Sequence, residues 1–256
     1  MTELVHYTVS DGIATITLDS QHNRNALSRQ LRGELRAALS GAQQDEAVRV
    51  IVLTHEGPVF CSGMDLKEAG GAGAEDQGVN EFPAILDQLW TSETPVVVRL
   101  AGPARAGGVG MIAAADIVVA ADEVNFAFSE VRIGVVPALI SATVLPRLLP
   151  RPAHELLLTG APFSAARAAE IGLINSAVAA GELDAEVSRF TESLTLAAPN
   201  ALAATKRLLR GERATNPADD FPRLLELSAK HFASEEGQEG IHAFAEKRKP
   251  SWVPGQ

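Results

Sequence analysis

Two short segments of the chain could present backbone amides to a ligand. The first is Phe60-Cys61-Ser62-Gly63-Met64-Asp65-Leu66, which follows a predicted strand and the turn His55-Glu56-Gly57-Pro58. A strand that ends in small residues and opens a helix exposes N–H groups where the helix dipole favours negative charge. An ordinary strand-to-helix turn has the same local sequence, so this segment alone leaves both interpretations open. Cys61 is interpreted as a small buried residue, because no nearby histidine is placed to activate it.

The second segment is Gly102-Pro103-Ala104-Arg105-Ala106-Gly107-Gly108-Val109-Gly110, directly after a predicted strand. Gly107 and Gly108 permit a ligand to approach the backbone closely, and the predicted helix behind them starts with free N–H groups. Residues 108–113 also match the dinucleotide-binding fingerprint formally. We reject that match because the next predicted strand follows within about one and a half helical turns, too soon for a full crossover helix.

Glu130 is the third candidate, and it lies among apolar residues between a strand-like run and a turn. A carboxyl group in such surroundings tends to have a raised pKa, which suits proton transfer near neutral pH. An ion pair with Arg132 or Arg105 is the alternative, and the local sequence favours neither. The six histidines show no metal-ligand spacing, so we expect no metal site.

The elements that would position these residues begin with a hairpin and an amphipathic helix. Residues 5–9 and 13–18 alternate in polarity across Ser10-Asp11-Gly12, which predicts two antiparallel strands. Leucines then recur at spacing four from Leu27 to Leu39, with Ser28 placed to cap a helix.

Further along, three predicted strands at residues 48–53, 96–100 and 117–120 are apolar on both faces. Helices predicted at residues 81–91 and 108–115 separate them, which indicates an α/β fold with mostly parallel sheets. Glycine-rich residues 69–78 predict a loop. From about Ala153 the pattern predicts helices at residues 164–171, 184–197, 200–210, 221–232 and 235–247. We therefore expect an α/β core at residues 1–195 and a helical part at residues 196–256.

Composition limits the classes of function. The 256 residues carry a net charge of −10, which argues against non-specific nucleic-acid binding. A single cysteine excludes an intramolecular disulfide framework and suits a reducing cytoplasm. The N-terminal residues show no signal-peptide pattern, and no run of eighteen apolar residues predicts a membrane span. We expect a cytoplasmic protein that binds neither nucleic acid nor membrane.

The segments, in this order, resemble the crotonase superfamily, which is the enoyl-CoA hydratase/isomerase family. Residues 60–66 are similar to its Phe-Cys-Ala-Gly-x-Asp-Leu, and residues 102–116 to its Gly-x-Ala-x-Gly-Gly-Gly…Cys-Asp. Residues 129–137 resemble its Pro-Glu-x-x-x-Gly-x-x-Pro, with Ser129 in place of the first proline. Residues 23–28 resemble a shortened Asn-Arg-Pro-x-Ala-Leu-Asn, and the tail at residues 244–250 is also typical.

This resemblance implies a spiral core of ββα units and a helical C-terminal region that forms a homotrimer, often a dimer of trimers. It implies that the Met64 and Gly107 amides form an oxyanion hole and that Glu130 is the acid/base. Coenzyme A would be part of the substrate, with no separate cofactor. The substrate- and CoA-binding residues implied are Ala26, Leu27, Ser62, Met64, Asp65, Leu66, Lys67, Gly107, Gly108, Phe244 and Lys247.

The chain departs from the family pattern at one important place. Family hydratases usually carry a second glutamate, and counting back from Asp116 places Gly110 there. The residues after Pro137 are also apolar where the family usually continues Gly-Gly-Thr-Gln-Arg-Leu. We expect an enoyl-CoA hydratase of fatty-acid or acyl-CoA metabolism with one glutamate. The alternatives are an enoyl-CoA isomerase and a non-catalytic acyl-CoA-binding scaffold.

Overall fold

A six-stranded sheet forms the centre of the computed structural model, which describes residues 2–69, 81–211 and 217–255. The predicted loop at residues 69–78 lies outside these ranges from residue 70 onward. Nine strands are described: β1 (Val5–Ser10), β2 (Ile13–Leu18), β3 (Val50–His55), β4 (Val96–Leu100), β5 (Ala104–Arg105), β6 (Ile117–Ala121), β7 (Asn125–Ala127), β8 (Phe163–Ser164) and β9 (Ser176–Val178). The main sheet has the order β1-β2-β3-β4-β6-β9, and β5, β7 and β8 form a small second sheet.

The direction of the strands defines two edges of the main sheet. The predicted hairpin is confirmed, with β1 and β2 antiparallel, and from β2 onward neighbouring strands are parallel. Strands β2, β3 and β4 therefore end together at Leu18, His55 and Leu100, which we call the carboxyl edge. Their beginnings define the opposite, amino edge. Loops that leave the carboxyl edge carry the candidate segments.

Eleven helices are described: α1 (Arg29–Gln44), α2 (Leu66–Ala69), α3 (Phe82–Thr91), α4 (Gly107–Ala114), α5 (Ala138–Val144), α6 (Pro150–Thr159), α7 (Ala165–Glu170), α8 (Leu183–Thr195), α9 (Pro199–Arg210), α10 (Pro217–Phe232) and α11 (Glu235–Glu246). Ser28 caps α1 as predicted, since its hydroxyl accepts a hydrogen bond from the Leu31 amide at 3.3 Å. Leu27, however, precedes α1 and pairs with Met64.

The sequence patterns missed several elements. The two- and three-residue strands β5, β8 and β9 were not predicted, because so few residues show no alternation, whereas β7 is the strand-like run expected before Glu130. Helices α5 and α6 were also missed. The helices predicted after residue 160 are confirmed, and the expected boundary at residue 195 falls between α8 and α9. Whether the two parts are separate domains, and whether the helical one forms oligomer contacts, stay predictions.

Helix α9 and the end of the chain contact the amino edge of the sheet. Lys206 of α9 is buried and donates to the carboxylate of Asp116 and, at 3.0 Å, to the carbonyl of Thr94. Lys206 is therefore a buried contact between α9 and the sheet and not a solvated helix end. Near the end of the chain, Pro254 packs beside Gly12, where β2 begins. Among the described helices, none has the length and apolar character needed to cross a bilayer.

Candidate active site

The first two candidate segments run side by side beyond the carboxyl edge. The Phe60 amide donates to the Pro103 carbonyl at 3.0 Å, and the Arg105 amide donates to the Cys61 carbonyl at 2.9 Å. Cys61 and Ala104 thus pair as residues of a parallel sheet do. Two segments that are about forty residues apart in sequence therefore reach the same place.

Residues 24–27 pack against the other side of residues 62–64. Ser62 donates its amide to the Arg24 carbonyl at 3.2 Å, and the Leu27 amide donates to the Gly63 carbonyl at 2.8 Å. Ala26 and Leu27 are both buried here. The structure therefore brings these two predicted CoA-binding residues to Met64.

Asn25 holds this segment in place, a role that the sequence analysis missed. Its side chain accepts from the Ser20 amide at 2.6 Å and donates to the carbonyls of Glu56 and Val59 at 3.2 and 2.8 Å. Asn25 has a φ of 53°, a conformation that asparagine tolerates better than most residues. The signal available in sequence was an asparagine before a turn, which is too common to single out.

The two predicted amides lie in neighbouring stretches of backbone. A Cβ atom built on Gly63 would lie 3.1 Å from the Ala106 Cβ and 4.0 Å from the Gly107 nitrogen. Within the described part of the chain, neither the Met64 nor the Gly107 amide donates a hydrogen bond to the protein. Because Gly107 is the first residue of α4, its N–H belongs to the unpaired donors of a helix start.

Close packing of α4 on the first segment explains the glycine at position 108. A Cβ on Gly108 would lie 2.7 Å from the Cys61 Cβ and 3.1 Å from the Cys61 carbonyl oxygen. Cys61 itself is fully buried, as predicted, and burial raises the pKa of its thiol to about 12. A thiol with that pKa stays protonated and is a poor nucleophile.

Ala106 adopts an unusual backbone conformation immediately before Gly107, with φ 46° and ψ −115°. Residues other than glycine rarely occupy this region, so the surrounding structure must hold it. Its amide donates to the Ala127 carbonyl at 3.2 Å, and its carbonyl accepts from the Val109 and Gly110 amides. Ala106 was not among our candidates, although it stands at the first glycine of the family's Gly-Gly-Gly pattern.

Glu130 reaches the same region through the second sheet. Strand β7 pairs with β5, and Glu130 follows three residues after β7 on a short 3-10 helix at Ser129–Ile133. Only 9% of the residue is exposed, and its Oε2 atom has no hydrogen-bond partner among the described residues. Burial raises the pKa of this carboxyl, while a bond from its own backbone amide lowers it.

The ion-pair alternative for Glu130 is wrong. Arg132 donates its Nε to the Thr159 carbonyl at 3.1 Å, and Arg105 donates to the carbonyl and the side chain of Asn125. No ion pair joins Glu130 to a cation of the described chain. The carboxyl group is therefore buried, its Oε2 atom has no hydrogen-bond partner, and no described cation pairs with it.

Position 110 has no room for a second carboxyl group. A Cβ on Gly110 would lie 2.6 Å from the Ile140 Cγ2 and 3.0 Å from the Ile140 Cβ. The carbonyl of Gly110 also accepts from the Thr143 hydroxyl at 3.0 Å, which holds α5 against α4. An apolar side chain thus fills the space into which the family's other glutamate would project.

An apolar groove of about 370 Å³ opens between α3 and α5. Asp87 is its single charged residue among those described, and its apolar lining consists of Pro83, Leu86, Trp90, Ala138, Leu139 and Ala142. A separate, polar cavity of about 660 Å³ lies near Asn23, Ser28, Asp65 and Glu68. The site region therefore offers one apolar and one polar space.

The remaining predicted residues fall into two groups. Ser62 donates its hydroxyl to the Asn23 carbonyl at 3.2 Å, and Asp65 accepts from the Asn23 side chain and the Lys67 amide, both at 3.0 Å. Leu66 begins α2, and its side chain lies outside the described structure. Phe244 is 87% exposed, and Lys247 caps the end of α11. No described contact joins these last two residues to the site, so their contact with CoA stays a prediction.

Relatives with known names match nearly the whole chain. Enoyl-CoA hydratase domain-containing protein 3 of Mus musculus is 33% identical over 248 residues, which cover 94% of this chain and 82% of that protein. Carnitinyl-CoA dehydratase of Salmonella typhi is 34% identical over 261 residues, covering 98% and 99%.

Solved structures agree. An enoyl-CoA hydratase from Shewanella pealeana superposes with a TM-score of 0.88 at 30% identity, covering 97% of this chain and 96% of the other. One from Mycobacterium avium is 40% identical, with a TM-score of 0.74 and coverage of 98% and 100%. These matches confirm the predicted crotonase fold. Residues 8–254 also match the family described as enoyl-CoA hydratase/isomerase, and the chain belongs to that family.

Proposed function

We propose that the protein binds an acyl-CoA thioester with its carbonyl oxygen at the amides of Met64 and Gly107. Both amides lack an internal acceptor in the described chain, and they lie in adjacent backbone segments. Preorganised N–H donors stabilise an oxygen strongly when negative charge develops on it. The dipole of α4, which starts at Gly107, adds to this effect.

Glu130 is the proposed acid and base, and its buried carboxyl, whose Oε2 atom has no partner among the described residues, is the observation that carries the proposed function. A carboxyl with a raised pKa can take up and return a proton near neutral pH. In hydration, Glu130 takes a proton from water as the water oxygen bonds to C3. The C2–C3 π electrons shift to an enolate, whose oxygen the two amides hold. Glu130 then gives its proton to C2, and the product is a 3-hydroxyacyl-CoA.

Reversible hydration of a 2-enoyl-CoA, in fatty-acid or acyl-CoA metabolism, is the first proposed reaction. The names of the relatives, hydratase and dehydratase, support it. One carboxyl group suffices for the two proton transfers when it acts first as base and then as acid.

Conversion of a 3-enoyl-CoA to a 2-enoyl-CoA is the second candidate. The contact between Gly110 and Ile140 favours it, because no second carboxyl at that position helps to hold a water molecule. The double-bond shift needs only one group, which removes a proton from C2 and returns it to C4. The same contact keeps a non-catalytic acyl-CoA-binding scaffold as an alternative of another class.

Coenzyme A enters this proposal as part of the substrate, with no separate cofactor. Ala26, Leu27 and the start of α2 surround Met64 and would contact it. Phe244 is exposed on α11 and has no described contact with the site of its own chain, so we propose that it contacts CoA bound to a neighbouring copy. A homotrimer or a dimer of trimers would supply such copies.

A turnover screen with purified full-length protein tests these proposals. Short- and long-chain 2-enoyl- and 3-enoyl-CoAs are followed by absorbance of the conjugated thioester and by product mass. Hydration lowers the absorbance and adds one water, whereas 3-to-2 isomerisation raises the absorbance at constant mass. Binding of saturated acyl-CoAs without any turnover would instead identify a scaffold. Absence of both turnover and binding would refute the proposed function.

A further inference from the structure

We infer that Trp90 closes the far end of the groove between α3 and α5 and so limits the length of acyl chain that the protein accepts. This inference rests on the proposed function, because it assigns the groove to the acyl part of the thioester. The groove is built by residues that neither polarise the carbonyl nor transfer a proton, so its role can be tested separately.

The groove leads away from the two amides. The ring of Phe82, at the start of α3, would lie 3.2 Å from a Cβ at Gly107, and Ile140 of α5 packs on Gly110. Beyond α5, the Arg147 Nε donates at 3.1 Å to the carbonyl of Ala113, near the end of α4. Helices α3, α4 and α5 therefore start at the site and run in the same direction, with α4 beneath the groove.

The lining of the groove suits a hydrocarbon chain. Leu86, Leu139 and Ala142 present apolar surface, and Asp87 is the sole charged residue among those that line it. Each methylene that leaves water for such a surface contributes roughly a fourfold gain in binding. We therefore expect affinity to rise with chain length until the chain meets the end of the groove.

Trp90 is held firmly where α3 ends. The Arg147 guanidinium lies over the indole, 4.9 Å from the ring centroid, and Arg210 donates to the Trp90 carbonyl. A cation over the face of an indole is a favourable contact. Arg147 is itself fixed, because it also donates to the Ala115 carbonyl at 3.0 Å. The indole cannot turn aside without losing its contact with the Arg147 guanidinium.

The position of Trp90 sets the length. Trp90 follows Phe82 by eight residues, which at a rise of 1.5 Å per residue is about 12 Å along α3. An extended chain of single bonds advances about 1.2 Å per bond, as a polypeptide backbone does. An acyl chain of about ten carbons would therefore reach the indole.

Two variants should change the accepted length of the acyl chain in opposite directions. Trp90→Ala removes the stop, so we expect the ratio of kcat/KM for long over medium chains to rise at least about tenfold. Ala142 is exposed on the groove wall, and Ala142→Phe should shift the optimum to shorter chains without disturbing the core. Trp252→Ala, which removes the other tryptophan and is not part of the groove lining, should leave the length profile unchanged. Unchanged profiles in both groove variants would overturn the inference.

A binding experiment separates this inference from the proposed reaction. In a Trp252→Phe protein, Trp90 is the only tryptophan, so its fluorescence reports on the groove. Saturated acyl-CoAs of about ten carbons or more should shift its emission to shorter wavelength, and acetyl-CoA should not. An emission shift without turnover would refute the proposed enzymatic activity but would support binding of the acyl chain in the groove. Turnover of medium-chain enoyl-CoAs with no shift at any length would refute the role of Trp90 alone.

Discussion

A carboxyl group lies at each edge of the main sheet, Asp116 at the amino edge and Glu130 at the carboxyl edge, and the surroundings of the two groups differ. At the amino edge, the Asp116 carboxylate accepts from the Val96 amide at 2.8 Å and from the Lys206 ammonium. At the carboxyl edge, the Oε2 atom of Glu130 has no partner among the described residues. The Asp116 carboxylate thus connects α9 to the sheet, whereas the Glu130 carboxyl connects no two elements of the fold.

This difference teaches which carboxyl is free to exchange a proton. Burial lowers the pKa of Lys206, and the Asp116 charge opposes that shift, so each charge supports the other. Glu130 has no paired cation, and burial raises the pKa of its carboxyl more than the bond from its own backbone amide lowers it. A buried carboxyl group without a cation beside it indicates a functional site, because burying it is costly. A carboxyl group paired with a cation indicates a structural contact.

Replacing Glu130 by glutamine should give the largest effect. We expect turnover to fall about 10²- to 10⁴-fold, because the amide cannot take up or return a proton. The variant should be at least as stable as wild type, since no ion pair is lost and the neutral amide avoids burying a charge. Glu123→Gln, at an exposed turn, is the matched control and should keep full activity. Full turnover of the Glu130→Gln variant on every enoyl-CoA would refute the catalytic role of Glu130.

Gly108→Ala should affect the same edge through geometry. The new Cβ would clash with Cys61, so α4 must move away from the segment that carries Met64. A displacement of about 1 Å at such a site can cost about 100-fold in kcat, and we expect a loss of that size. Gly33→Ala adds a methyl group where nothing lies within 4 Å and should retain activity. Equal activity of the two variants would contradict close packing at Cys61.

Lys206→Met should affect the amino edge and act on stability. It leaves Asp116 without its cation, and we expect about 2 kcal/mol of destabilisation, less than for a fully buried pair because Asp116 is partly exposed. Activity at low temperature should persist. A Lys206→Met, Asp116→Asn double variant should recover part of the loss in chemical denaturation. A double variant as unstable as the sum of both single variants would show that the two groups do not interact.

The pH dependence of stability should distinguish the two edges most finely. A carboxyl with a raised pKa in the folded state stabilises at low pH and loses this contribution as pH rises through that pKa. The difference in unfolding free energy between Glu130→Gln and wild type should therefore increase above pH 4.5, by at most about 1.4 kcal/mol per pH unit. Denaturation at several pH values measures it, and a flat difference would mean that the Glu130 pKa is not raised.

The sequence by itself determined the five longer strands, most of the helices and the family. Strands β3, β4 and β6 were predictable because they are covered on both faces, so their residues are mostly apolar and do not alternate with polar ones. The cap at Ser28 and the hairpin depend on neighbouring residues alone. The order of the motifs likewise needed no coordinates, and it singled out the Met64 and Gly107 amides.

Tertiary structure decided what depends on partners distant in sequence. The strand β7, three residues long, forms only because β5 and β8 pair with it, and through it Glu130 follows to the carboxyl edge. Lys206 is buried because Asp116 lies beside it, ninety residues away in sequence. The contact between Ile140 and Gly110 has the same origin. Local patterns record the period and polarity of one element, and they contain no information on which other element will cover it.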